Sequence, residues 1–117
     1  MSDARSRPAF RQIIVDLTKL RDYCLSPTHP HGRHKARVFC ARLGFEATDA
    51  EFLRGALINA VRHEPEGLLP TKTDHHGKQY VLDFEMSTAI GTGMIRSIWI
   101  IPTDHENVLR FVTCYVR

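Results

Sequence analysis

The apolar periodicity of this chain changes from helical to alternating near the middle of its 117 residues. Between Arg33 and Leu43 apolar residues recur at spacings of three and four, which is the repeat of an α-helix with one buried face. From Gln79 to Met86 apolar and polar residues alternate, which is the repeat of a strand with one buried face. We therefore predict an α+β fold, in which N-terminal helices pack on one face of a C-terminal antiparallel sheet of three to four strands.

Two helices and one loop are predicted in the first part of the chain. Thr18 is the expected cap of a short helix that ends near Cys24. Residues 26–32 contain two prolines and a glycine, which do not fit regular structure, so a loop is predicted there. The helix over 33–43 follows the loop, with Gly44 at the position where a left-handed C-cap belongs.

A third helix precedes the strands. Thr48 starts a capping box with the glutamate three residues later, and the apolar stripe that follows ends near His63. After a connection rich in proline and glycine (64–77), the alternating strand and the β-branched runs at 94–101 and 108–116 are predicted to form an antiparallel meander. The predicted core takes the apolar stripe of each element: Phe39, Leu43, Leu53, Leu57, Tyr80 or Val81, Phe84, and Ile98 or Trp99.

Length, cysteine content and hydropathy limit the class of protein. A chain with 43% hydrophobic and 25% charged residues fits one soluble domain, 1–117, of which we expect segment 1–10 to be flexible. Its three cysteines at wide spacing indicate neither a disulfide framework nor a thiolate zinc site. No apolar run is long enough to span a membrane, and residues 1–11 lack the apolar core of a signal peptide. We therefore expect a cytoplasmic protein with no membrane partner.

Basic residues are concentrated in the first part of the chain. Residues 1–42 contain nine lysines and arginines against three acids, whereas residues 43–117 contain seven against ten. No acid occurs from Tyr23 to Phe45. Such a stretch is expected where a phosphate-bearing partner docks, but a basic helix face that complements an acidic face elsewhere gives the same pattern. Charge alone leaves both interpretations open.

Five short segments carry a resemblance to a known family: YCLSPTHPHGRHKARVF (23–39), LGF (43–45), GKQYV (77–81), IWI (98–100) and LRFVTCY (109–115). They resemble an uncharacterised bacterial domain family, whose members occur as small stand-alone proteins and as C-terminal modules of polymorphic toxins. That family is similar to the barnase/EndoU/colicin/RelE class of metal-independent ribonucleases, a likeness at the level of the fold. The sequence AIGTG (89–93) departs from the Gly-Asn-Gly-like turn of the family pattern.

The resemblance implies cleavage of RNA through attack by a 2′-hydroxyl group, which needs an acid, a base and cations around the phosphate. His29 is the candidate acid or base, because imidazole titrates near neutral pH. Lys35 would place an ammonium beside the phosphate, and Thr113 would donate a hydroxyl to it. We expect these three predicted catalytic residues to converge on one cleft. No cofactor or metal is expected, because His29, His31 and His34 lack the spacing of a zinc site and no nearby cysteine or acid completes one.

Eight further residues are predicted to bind substrate, the cationic ones by balancing phosphate charge and the aromatic ones by stacking on bases. They are His31, Arg33, His34, Arg37, Arg96, Trp99, Arg110 and Tyr115. Ordinary structural roles account for several candidates equally well. His29 has the position of a turn cap, Lys35 that of a solvated helix residue, Thr113 a favourable β-propensity, and Trp99 the size of a core residue.

Two functions from different classes follow. The first is a toxin-like ribonuclease of a bacterial toxin–antitoxin or toxin–immunity pair, with RNA as substrate and an acidic antitoxin or immunity protein as the partner that covers the basic face. The second is a non-catalytic RNA-binding or protein-binding module that uses the same face. Toxicity that is lost when His29 or Lys35 is changed would separate the two.

Overall fold

The computed structural model describes residues 8–117. Most of the predicted flexible segment, 1–10, lies outside the described residues, and its last residue, Phe10, packs against the hydrophobic core. Within the described part of the chain, no helix combines the length and the hydropathy needed to cross a bilayer. The extent of the domain, 1–117, stays a prediction.

The helices lie in the first half of the chain, as the periodicity predicts. Helix α1 (Leu17–Lys19) continues into a π-helical turn (Leu20–Cys24), and it is followed by α2 (Arg33–Leu43) and α3 (Ala50–His63). Short 3₁₀ turns, Ala47–Asp49 and Pro65–Gly67, flank α3. Gly44 ends α2 with a φ of 74°, the left-handed conformation that its position predicts.

Five strands form one mixed sheet, which confirms the α+β fold. They are β1 (Gln12–Ile14), β2 (Leu69–Asp74), β3 (Gly77–Ser87), β4 (Thr92–Pro102) and β5 (Val108–Val116), in the order β1-β5-β4-β3-β2. Strands β3, β4 and β5 form the predicted antiparallel meander. The sheet is larger than the predicted three to four strands, because β2 extends one edge and β1 pairs in parallel with β5 at the other.

Two predicted helix caps are wrong. Asp16 rather than Thr18 caps α1, since its carboxylate accepts hydrogen bonds from the Thr18 backbone N–H (3.0 Å) and hydroxyl (2.7 Å). Glu46 and Asp49, rather than Thr48 and its partner, form the capping box ahead of α3. In both places a carboxylate takes the position, because its negative charge also interacts favourably with the positive end of the helix dipole.

The core joins the helices to alternate residues of the strands. All four predicted helical core residues, Phe39, Leu43, Leu53 and Leu57, are buried, and so are the strand residues Tyr80, Leu82, Ile95, Trp99, Leu109 and Phe111. Of the open pairs in the prediction, Tyr80 and Trp99 are the buried members, whereas Val81 and Ile98 are only partly buried. Phe84 packs partly buried against this core. That the helices cover only one face of the sheet stays a prediction.

Candidate functional site

Lys35 and Thr113 meet at the edge of the sheet. The Lys35 ammonium donates a hydrogen bond of 2.9 Å to Thr113 Oγ1, although the two residues are 78 positions apart in the chain. Lys35 lies in the first turn of α2, and Thr113 lies in β5 beyond the three residues that pair with β1. The structure therefore brings together two of the three predicted catalytic residues, whose roles stay a prediction.

A β-bulge lies beside Thr113 in the pairing of β5 with β4. Ile98 pairs with Thr113 while the next residue of β4, Trp99, pairs with Phe111, so Val112 is the extra residue. A bulge bends its strand and changes the direction of the neighbouring side chain, and bulges are common beside active sites. Just before the bulge, the carbonyl of Phe111 accepts a hydrogen bond of 3.0 Å from the Lys19 ammonium. Side chains thus occupy this part of the β5 edge, where β1 no longer pairs.

Two aromatic rings surround the Lys35 ammonium. Its nitrogen lies 4.8 Å from the centroid of the Tyr23 ring and 5.7 Å from that of Tyr115. Both distances are within the range of cation–π attraction. Tyr115 belongs to the predicted substrate-binding set, whereas Tyr23 does not. The sequence signals for Tyr23 are its place at the start of the acid-free stretch and at the start of the segment 23–39 that carries the family resemblance.

His29 also contacts the Tyr23 ring. Its imidazole stands edge-on to Tyr23, with ring centroids 4.7 Å apart and an interplanar angle of 81°. Its Nδ1 accepts hydrogen bonds of 3.0 Å from the backbone N–H groups of both His31 and Gly32. This network assigns the proton of the neutral ring to Nε2, so Nε2 is the nitrogen that remains as a hydrogen-bond donor. His29 is therefore both a cap at the start of α2 and a neighbour of Lys35 through Tyr23.

Two buried cysteines, Cys24 and Cys114, lie next to Thr113. Cys24 Sγ is 3.6 Å from Thr113 Oγ1. Hydrogen bonding from Cys114, with smaller contributions from Thr113 and the Lys35 charge, lowers the pKa of Cys24 to about 6. Burial raises the pKa of Cys114. The thiol that ionises more readily is therefore the one in contact with the Lys35–Thr113 pair.

Four predicted substrate-binding residues are exposed at the start of α2. His31, Arg33, His34 and Arg37 all lie on the surface next to the half-buried Lys35. No carboxylate of the described residues forms an ion pair with Arg33 or Arg37. The charge of this segment, which we call the α2 basic face (His31, Arg33, His34 and Arg37), is therefore available to a partner.

The other predicted binding residues are less well placed. Trp99 is fully buried and donates from Nε1 to Ser97 Oγ, so it packs in the core and offers no surface to a base. Arg96 makes two hydrogen bonds of 2.9 Å to Asp83, which raise the pKa of Arg96 and lower that of Asp83. Arg110 is exposed in the part of β5 that pairs with β1, before the bulge. Sequence reasoning missed these placements because strand aromatics and strand cations have the same pattern in a core as on a binding face.

The Lys35–Thr113 pair lies beside the part of β5 that β1 leaves unpaired. Two surface cavities, of about 640 and 720 Å³, are both lined by Pro8 and Ala9, and neither is lined by Lys35 or Thr113. Within residues 8–117 no three histidine, cysteine or acidic side chains are grouped so that they could hold a metal ion. Lys35 provides a cation, Thr113 a hydroxyl and His29 an imidazole, and two aromatic rings and the exposed basic residues lie beside them. Such a set of groups is suited to binding a phosphate ester.

Comparison with known proteins gives a family and one structural neighbour. Residues 7–117 match the model of DUF6883, a domain of unknown function. The chain belongs to this family. The comparison with curated proteins gives no match. Among solved structures, a chain of a contact-dependent growth inhibition toxin–immunity protein complex from Klebsiella pneumoniae 342 is similar, with a TM-score of 0.66 and 15% identity over 89% of this chain and 99% of that one. At this identity the likeness concerns the fold.

Proposed function

We propose that this DUF6883 domain is a toxin-like, metal-independent ribonuclease that an acidic immunity protein or antitoxin neutralises. The observation that carries the proposal is the Lys35–Thr113 hydrogen bond, held between two aromatic rings at an open strand edge. The shared fold with a chain from a toxin–immunity complex supports a toxin-like role and a protein partner. The α2 basic face supports RNA as the substrate.

Each group has a role in cleavage by the RNA's own 2′-hydroxyl group. That oxygen attacks phosphorus, the bond to the 5′-oxygen breaks, and the products are a 2′,3′-cyclic phosphate and a free 5′-hydroxyl. The Lys35 ammonium stabilises the negative charge that builds up on the phosphoryl oxygens, and the Thr113 hydroxyl donates a hydrogen bond to one of them. Tyr115 provides a half-exposed ring for a base.

Proton transfer falls to the imidazoles of the loop before α2. His29 keeps its two cap hydrogen bonds only while its proton is on Nε2. In that state Nε2 donates a hydrogen bond to a phosphoryl oxygen. Before Nδ1 accepts a proton, however, it must release the two cap hydrogen bonds. The ring of His31 lies 6.0 Å from that of His29 and makes no hydrogen bond within the described residues. We therefore assign proton transfer to the His29–His31 pair, with His34 as the neighbouring alternative.

Cleavage of a mixed RNA substrate in EDTA tests the proposal. Wild-type protein is expected to release products that end in 2′,3′-cyclic phosphate, because no step needs a divalent ion. Lys35→Ala and Thr113→Val, which keeps the β-branched shape, are each expected to lower the rate about a hundredfold while folding is retained. Lys78→Ala, which removes an exposed lysine of β3, is the matched control and should leave the rate unchanged. A requirement for a divalent ion would reject this mechanism.

The alternative is a binding module that uses the α2 basic face without chemistry. The capped His29 favours it, because its Nδ1 already accepts two hydrogen bonds from the backbone and is not free to accept a proton. Such a module would bind RNA or an acidic protein, be harmless when expressed, and tolerate Lys35→Arg. If the face binds RNA, affinity should fall steeply with salt, and replacing Arg33 and Arg37 by Gln should reduce the slope of log K against log salt by about two. Folded wild-type protein that binds RNA but leaves it intact would support this alternative.

A further inference from the structure

We propose that Tyr23 is a positioning residue, whose ring holds the Lys35 ammonium and the His29 imidazole in the arrangement that phosphate binding requires. The proposal rests on the ribonuclease function for its effect on rate. It does not rest on that function for its effect on Lys35 itself. Tyr23 acts through these two neighbours and need not touch the substrate.

The first argument is that one ring contacts two of the three predicted catalytic residues. The Lys35 nitrogen is 4.8 Å from the Tyr23 centroid, where the negative face of an aromatic ring attracts a cation. The His29 ring is 4.7 Å away and nearly perpendicular to it. The Tyr23 ring is thus a side-chain contact shared by His29, in the loop, and Lys35, in α2.

The second argument is that the backbone of Tyr23 is fixed. Its carbonyl oxygen accepts a hydrogen bond of 3.2 Å from the backbone N–H of Ser26. The same oxygen packs so closely against Gly32 that a Cβ added there would lie 2.0 Å from it. The Tyr23 ring therefore belongs to a segment that contacts the loop at both of its ends, at Ser26 and at Gly32.

The third argument is the π-helical turn that contains Tyr23. Tyr23 contacts Lys35, and the next residue, Cys24, contacts Thr113 through its thiol. Consecutive residues of one turn thus reach both partners of the Lys35–Thr113 hydrogen bond. π-Helical turns are rare and occur frequently at functional sites, which agrees with a positioning role for this one.

The benefit of such a ring is preorganisation. A lysine ammonium on its flexible four-carbon chain has many rotamers, and fixing one of them on binding opposes affinity. Contacts with Tyr23, Tyr115 and Thr113 restrict Lys35 before the substrate arrives. The loss of side-chain entropy is then smaller when a phosphate binds.

A fluorination series at position 23 separates the ring's electrostatic role from its packing. Tyr23→Phe should keep the wild-type rate, because the Tyr23 hydroxyl makes no hydrogen bond within the described residues. Phenylalanines with one, two and three fluorines have nearly the same shape but a progressively weaker negative face. RNA cleavage should therefore fall stepwise, to about one-fifth for the trifluorinated ring. The same series at Phe52, which is exposed on α3, should leave the rate unchanged.

A second measurement does not depend on catalysis. In NMR spectra the Lys35 Hε protons should be shifted upfield by the Tyr23 ring in the wild type and in Tyr23→Phe, and the shift should be smaller in Tyr23→Leu. A rate that is the same across the fluorinated series, or a Lys35 signal that Tyr23→Leu does not move, would overturn the positioning role. Wild-type protein that cleaves no RNA would instead refute the ribonuclease function, and the Lys35 signal would then decide the role of Tyr23 alone.

Discussion

A single methyl group at Gly32 should be costly, because the backbone of Tyr23 lies directly against this residue. Its φ of −73° and ψ of −22° are helical values that alanine adopts freely, so the backbone conformation does not require glycine. The requirement is steric. A Cβ at this position would lie 2.0 Å from the Tyr23 carbonyl oxygen and 2.7 Å from its carbon, so Gly32→Ala must push α2 and the π-helical turn apart by about 1 Å.

The expected cost follows from the contacts that this displacement breaks. Overpacking of a close contact costs about 1–3 kcal/mol. The hydrogen bonds from the Gly32 N–H to His29 Nδ1 and from the Ser26 N–H to the Tyr23 carbonyl weaken as well, at about 1 kcal/mol each. We therefore expect Gly32→Ala to lower the free energy of unfolding by about 3–5 kcal/mol, which is a large part of the stability of a domain of this size.

Gly55→Ala is the matched control, because it adds the same methyl group to open space. Gly55 is exposed in the middle of α3, with no atom within 4 Å of the position of its Cβ. Alanine has the higher helix propensity, so this variant should be more stable by about 0.5–1 kcal/mol. Urea unfolding followed by circular dichroism should thus move the two midpoints in opposite directions at unchanged m-value. A Gly32→Ala protein as stable as the wild type would refute the close packing of the loop on Tyr23.

Three other measurements test the sheet and the thiols. Ser97→Ala should destabilise by about 1–3 kcal/mol in urea unfolding, because it leaves the buried Trp99 Nε1 without its acceptor. The Arg96 hydrogen bonds hold the pKa of Asp83 below its ordinary value, so the stabilisation is present above about pH 4 and lost as pH falls below it. The difference in unfolding free energy between wild type and Asp83→Asn should therefore shrink from pH 5 to pH 3. Thiolate absorbance should rise in a step near pH 6 that Cys24→Ser removes, since hydrogen bonding from its thiol neighbour lowers the Cys24 pKa.

The regular elements could be predicted because each is long and buries one face. Helix α2 and strands β3 to β5 show their periods in the sequence, and Phe39 and Trp99 lie in the core as expected. Strand β2 could not be predicted in this way, because all six of its residues are exposed and no alternation results. Strand β1 is three residues long and lies in an apolar run that fits a helix equally well.

The site was only partly predictable for a different reason. Lys35 and Thr113 were selected with the help of a family resemblance and the chemistry of phosphate esters, and the structure places them in contact. Tyr23 and Cys24 were not selected, because their contacts depend on a π-helical turn, which no apolar repeat encodes. The sequence gives Trp99 both as a core residue and as a base-stacking residue, because a strand aromatic has the same pattern in either environment, and the structure places it in the core.

Irregular features of the fold lie at both edges of the sheet: β2 shifts register against β3 between Pro70 and Lys72, and β5 has several departures of its own. Between β3 and β4 the pairing runs from Gly77–Pro102 to Ser87–Thr92 without a shift in register. Along β5, by contrast, the pairing with β1 ends at Arg110, and the Lys19 ammonium then donates a hydrogen bond to the Phe111 carbonyl. On the other side of β5, the pairing with β4 has a bulge at Val112. A free strand edge invites pairing with another chain, and these side chains prevent it. Next to these departures lie the Thr113 hydroxyl, the Lys35 ammonium and the two rings that contact it. Three departures from regular pairing therefore lie close to Thr113, which agrees with the proposal that this edge binds a ligand.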